Sequence, residues 1–200
     1  MSRNVGPTVD TLLARVRQSG SIAVDEDYAT QILTICQQII NIYLKRVVTS
    51  TTLTTLAEKL VYSIPSDLTT AVDVTDVTES SRSLRHCPAL KDFAAYELNW
   101  FRNITATRFE AWCQVSRDLL IIYPGKAANS SVVVEHVKAT TIYTDYSAAY
   151  NTALELPDEE IDYVLRLAEA VLLLRARNQT LTKARLNDLA TALGIKSVSK

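Results

Sequence analysis

Two hundred residues, 48% apolar and 22% charged, are enough for one good-sized domain or a domain with a satellite, and they exclude wholesale disorder. A formal net charge of −1 argues against a protein held to nucleic acid by its bulk charge. No apolar run approaches the ~20 residues of a membrane span, and the leading MSRNVGPTVDTL lacks the apolar centre of a secretory signal, so a soluble chain is expected.

The first helix is expected from about Thr8 as N-cap, with Val9, Leu12, Leu13 and Val16 as its stripe; Gly6 and Gly20 flank it. The acidic run Asp25-Glu26-Asp27 opens a second helix. Its residues Tyr28, Ile32, Leu33, Cys36, Ile39, Ile40, Tyr43, Leu44 and Val47 recur at spacings of three and four, and Cys36 reads as core filler within that stripe. After Val48 the character changes. The run TSTTLTT has high β-propensity and leads into Leu56, Leu60, Tyr62 and Ile64 at even spacing, which predicts a strand ending at Pro65. Further strands are expected from Ala71 to Val77 and around Leu84. Pro88 to Trp100 returns to helical spacing through Leu90, Phe93, Ala94 and Glu97. Phe109–Val115, Asp118–Tyr123 and Ser131–Lys138 then read as a three-stranded meander.

Within that meander, RDLLIIYPG (Arg117 to Gly125) is apolar on both faces, which requires cover on both sides. Either the chain's own bundle or a neighbouring subunit supplies the second cover. A long helix follows Leu156-Pro157, with Asp158, Glu159 and Glu160 in its first turn and Arg175 and Arg177 closing it, as the helix dipole favours. Its apolar residues cover nearly three quarters of the circumference. Ile161, Val164, Leu165, Ala168, Val171 and Leu172 make one stripe; Tyr163, Leu167, Ala170 and Leu174 extend it. The last segment, Leu181 to Leu193, is a weaker amphipathic helix stopped by Gly194.

The expected fold is therefore α+β and mainly helical: N- and C-terminal helices in one bundle, with a small antiparallel β-domain inserted between them. The expected divisions are residues 1–50 for the N-terminal helices, 51–155 for the β-rich insert with a short helix, and 156–200 for the helices completing the bundle.

Little in the chain points to catalysis. All four glycines have punctuation roles, which leaves none for a Walker loop, a dinucleotide fingerprint or a nucleophile elbow. His86 and Cys87 are adjacent, so on a strand they point to opposite faces rather than acting together. His136 sits among valines. No HxxxH or CxxC spacing offers a zinc site, and the paired carboxylates fall at helix starts where capping explains them. No cofactor, metal or catalytic residue is expected. The three widely spaced cysteines fit buried thiols in a reducing compartment. Nine tyrosines against three phenylalanines favour positions half buried and half wet, which include protein interfaces.

The order of landmarks is informative: VYSIPSD (Val61 to Asp67), SLRHCPALKDF (Ser83 to Phe93), Trp100, RDLLIIYPG, SVVVEHVKA (Ser131 to Ala139) and LELPDEEIDYVLRLAEAVLL (Leu154 to Leu173). This series resembles the head-to-tail adaptor proteins (connectors, or head-completion proteins) of tailed bacteriophages, over about residues 25 to 178. The resemblance implies a structural, non-enzymatic virion protein of the neck, assembled in the host cytoplasm. It implies a ring, usually of twelve subunits, between the portal protein and the tail or further neck proteins, extending a channel that double-stranded DNA passes without specific binding. The loop after Gly125 lacks a second proline, and the leading helix precedes the shared region. On the residues alone, Tyr163, Leu167, Ala170 and Leu174 are the expected oligomer or portal interface, because the Ile161–Leu172 stripe already supplies a core face. Two other readings stay open: a helical protein-binding module, and a small hydrolase centred near His86.

Overall fold

A computed structural model describes residues 3–19, 23–64, 74–96, 98–116 and 119–195. The chain divides into two compact units, one of residues 1–47 with 140–200 and one of residues 48–139.

The first unit is the helical bundle: α1 (Val5–Gln18), α2 (Glu26–Leu44), the short α3 (Tyr146–Ala149), α4 (Asp158–Arg175) and α5 (Gln179–Ala192). As expected, the N- and C-terminal helices pack together, with α1, α2 and α5 all against α4. Val9, Leu12, Val16, Leu33, Cys36, Ile40, Ile161, Leu165, Ala168 and Leu172 meet in one core.

Helix α1 starts earlier than its sequence predicts. Asn4, not Thr8, precedes it, and the first backbone donors find partners far along the chain: Val5 N–H donates to Thr152 O (2.8 Å) and Gly6 N–H to Tyr150 O (3.1 Å). Those long-range bonds do what a side-chain cap would do. Gly6 lies in the first turn, where a Cβ would meet the Tyr150 ring at 2.2 Å. Helix α2 begins as expected, Asp25 accepting from Tyr28 N–H at 3.3 Å, and it ends on Lys45 in the left-handed region.

The second unit is a sandwich of two four-stranded sheets, ordered β1-β8-β3-β4 and β2-β7-β6-β5. The strands are β1 (Val48–Thr55), β2 (Val61–Ser63), β3 (Val74–Glu79), β4 (Arg82–Ser83), β5 (Arg85–His86), β6 (Ala111–Ser116), β7 (Leu119–Tyr123) and β8 (Ser130–Val137). Three expectations are corrected here. The threonine run is itself a strand rather than the lead into one. It stops at Thr55, a turn through Glu58 (φ 58°) follows, and β2 resumes in the other sheet. The meander is also broken: β6 and β7 pair, whereas β8 crosses to the first sheet and lies between β1 and β3. Finally, β5 and β6 run parallel, so the insert is not wholly antiparallel. The expected strand from Ala71 is described only from Val74, and Pro65 and Asp118 lie outside the described residues.

Both faces of β7 are covered within this unit. Leu120 and Ile122 enter the core between the sheets with Leu53, Val77, Trp112, Val132 and Val134. Ile121 and Tyr123 point the other way, onto Cys87, Phe93, Ala111 and Cys113, with Leu60, Tyr96 and Trp100 at the margin. The cover on that face is the segment read as a helix from Pro88. It is instead two 3-10 turns, Leu90–Ala95 and Trp100–Arg102, held at the start by Asp92 accepting from Ala89 N–H at 3.0 Å. A repeat of three residues per turn aligns Leu90, Phe93 and Tyr96 on one side, which suits a 3-10 geometry better than an α-helix.

A partly buried ion cluster fastens the β3–β4 hairpin to the rest of the unit. The carboxylate of Glu79 accepts from Lys126 Nζ at 2.8 Å and from Phe109 N–H at 3.1 Å, with Arg82 at 3.6 Å; Arg82 also donates to the Phe109 carbonyl. Burial pushes the Glu79 carboxyl up. The hydrogen bonds from Lys126 and Phe109 and the charges of Lys126 and Arg82 together outweigh it and hold the pKa below the ordinary glutamate value.

Candidate assembly surfaces

The residues that chemistry could have recruited occupy separate environments. His86 is exposed and stacks on Trp112, ring centroids 4.3 Å apart, while Cys87 turns into the cluster beneath the 3-10 turns. His136 is buried with Nε2 3.4 Å from Thr51 Oγ1. Among the described residues, no group of three or more His, Cys, Asp or Glu side chains could hold a metal. Burial pushes the Cys36 thiol up to about 12 and raises those of Cys87 and Cys113. The native chain at pH 8 is therefore expected to resist a thiol reagent that labels all three cysteines once the chain is denatured. Rapid native labelling of any one would show that its cover opens readily.

Helix α2 places its side chains in an unusual order. The face turned into the bundle carries Thr30, Thr34, Gln37 and Asn41, all buried. Each of the last three accepts from a backbone N–H beyond the helix, two of them far along the chain. Thr34 Oγ1 accepts from Tyr143 N–H at 3.2 Å, Gln37 Oε1 from Glu155 N–H at 2.9 Å, and Asn41 Oδ1 from Val47 N–H at 2.8 Å. Polar side chains are therefore satisfied inside. Apolar ones are left outside: Ile39 is 48% and Tyr43 52% exposed, with Ile35 and Ile42 half-buried beside them. Spacings of four, three and one put these four on one side of the helix. The sequence marked Ile39 and Tyr43 as part of the core stripe. Ile35, Ile39, Ile42 and Tyr43 continue that stripe outward, on the side of α2 away from the threonine, glutamine and asparagine row.

The α4 residues singled out by sequence have different surroundings. Helix α5 folds back along α4, with Arg185 Nε donating to the buried Glu169 at 2.8 Å. Ala170 is buried, and so is Leu173 on the same side. Leu167 is half-buried against the bundle core, and Tyr163 lines a hollow with Leu44, Arg46, Glu160 and Leu193. Leu174 is 58% exposed. Much of the apolar circumference of α4 is thus met by α1, α2 and α5.

The β-unit has apolar points of its own. Leu98, 83% exposed, and Phe101, 53% exposed, project from the 3-10 segment. Beyond the reach of that segment, Val61, Val115 and Leu119 remain exposed on neighbouring strands of the second sheet.

The family model of the SU10 adaptor protein matches residues 7–199. The chain belongs to the SU10 adaptor protein family, a family of phage head–tail adaptors, which bears out the resemblance drawn from its short motifs and extends it to the leading helix. No curated protein gives a match to this sequence. Membership makes the chain a structural adaptor of the phage virion that binds other virion proteins. Among the described residues, no helix is long and apolar enough to cross a membrane.

Proposed function

We propose that this protein closes into a ring, twelve-fold in the reading its family resemblance implies, which joins the portal of the head to the tail or to further neck proteins and extends the DNA channel. Its work is binding, not catalysis. The open apolar face of α2 carries this reading: Ile39 and Tyr43 stay about half exposed, with half-buried Ile35 and Ile42 beside them. A ring requires two different adhesive faces per subunit. The second is the pair Leu98 and Phe101 of the β-unit, and the Tyr163–Leu167–Ala170–Leu174 row of α4 contributes at its exposed Leu174 end. A net charge of −1 supports a channel that lets DNA pass without gripping it.

Mixing two defective variants tests the arrangement. Ile39→Glu/Tyr43→Glu removes one face and Leu98→Glu/Phe101→Ser the other, so each alone is expected to sediment as a monomer. Mixed, they retain one intact face each and are expected to form a one-to-one dimer that cannot close. If the mixture stays monomeric while the unaltered chain forms rings, the two faces do not meet each other. If the unaltered chain stays monomeric with portal present, the ring reading fails.

A further inference from the structure

Four strands form the edges of the two sheets, and three of them are short. Strands β4 and β5 have two residues each and β2 has three. Brevity is one of the ways a protein keeps an open edge from recruiting another chain; charges, proline and bulges are others. Strand β1 uses none of them. It is eight residues long, VTSTTLTT, with no charge, proline or glycine. It pairs with β8 in unbroken register from Val48↔Val137 to Thr55↔Ser130. Among the described residues, its far edge makes no backbone hydrogen bond to any other segment. Thr49, Ser50, Thr52 and Thr54 are exposed along it.

We infer that the free edge of β1 is a strand-addition site, taking an extended, uncharged segment of another virion protein as the next strand of its sheet. This rests on the adaptor reading, which requires partners but does not say how they are held. A row of unpaired N–H and C=O groups at strand spacing is complemented only by extended backbone. The side chains of β1 set the rest. Outward, Ser50, Thr52 and Thr54 favour small or β-branched polar neighbours. Inward, the cross-strand neighbour of Leu53, 9% exposed at the sandwich margin, is apolar. The partner segment therefore alternates apolar with uncharged polar residues.

Hydrogen exchange, followed by mass spectrometry in the isolated chain and in purified virions, reads this without any substitution. In the isolated chain about half of the β1 amides, those directed away from β8, should exchange fast and the rest slowly. In virions the fast set should slow by at least about tenfold. If the chain is present in virions but those amides still exchange fast, the inference is overturned while the adaptor reading stands. If the chain is missing from virions, the adaptor reading itself fails. Protection already present in the isolated chain, rising with its concentration, would mean that the edge pairs with a second copy and would likewise overturn the inference.

Discussion

Ile39→Glu/Tyr43→Glu is expected to give a folded monomer that does not assemble. Both side chains are about half exposed in the isolated chain and neither belongs to the bundle core, so their replacement leaves the packing of α2 untouched. Exposed substitutions of this kind change stability by about 0.5 kcal/mol or less, and glutamate is a good helix former. Assembly is another matter. Covering the exposed half of an isoleucine or tyrosine at a contact contributes about 0.7–1.5 kcal/mol, and a carboxylate forced into the same place adds a desolvation cost. Losing two such residues weakens each contact by at least about tenfold. The loss recurs at every contact around a ring. Sedimentation velocity and circular dichroism of the same preparation check both halves of the expectation. A variant that still assembles would remove the α2 face from the interface, and one that unfolds would show that this face is internal.

The second large effect falls on stability. Glu79→Ala is expected to cost the β-unit about 3–5 kcal/mol, because it leaves Lys126, only 16% exposed at its side chain, without its countercharge. It also strips Phe109 N–H of an acceptor. Lys126→Met alone should cost less, because the carboxylate keeps Arg82 at 3.6 Å and the Phe109 N–H. The double variant should recover part of the loss, since removing both charges is gentler than removing one. Acid acts in the same direction. The carboxyl's pKa is lower in the folded chain than in the unfolded one, so its contribution is complete above the ordinary glutamate value of about 4.3. That contribution falls away as pH drops through the lower folded value. Thermal unfolding of the wild-type chain and of Glu79→Gln across pH 3 to 7 should therefore converge at the acid end. Parallel curves over that range would show that Glu79 adds nothing by its charge.

Helices α2 and α4 were legible because their apolar residues repeat at helical spacing, and β7 because an unbroken apolar run ends at Pro124-Gly125. Their partners were not. Nothing local distinguishes a third meander strand from one that crosses to the other sheet, since β8 alternates the same way in either place. Two residues of the cover over Ile121 and Tyr123, Phe93 and Trp100, are visible in the sequence, but their spacing suits an α-helix as well as the 3-10 turns that form. On α2 the sequence showed which residues were apolar without showing which arc faced inward. That choice depends on backbone donors more than a hundred residues away, at Tyr143 and Glu155, which draw Thr34 and Gln37 inside. On α4 the excess of apolar surface is legible in the sequence, but not how it divides between the chain's own helices and a neighbour. Part of it is met by α5, whose own pattern is too weak to show how closely it packs.

The pairing of Val48 with Val137 has a thermodynamic consequence for the bundle. The two parts of the helical unit are separated by the whole insert, and an unstructured connection of roughly ninety residues makes their meeting entropically costly. Once β1 lies on β8, the insert's two ends sit one strand apart, and the effective loop shrinks to a few residues. By the logarithmic dependence on length, this closure is worth about 3 kcal/mol to helices that make no part of the sheet. The sandwich thus serves as a clasp, and weakening it loosens the bundle through the chain's connectivity alone.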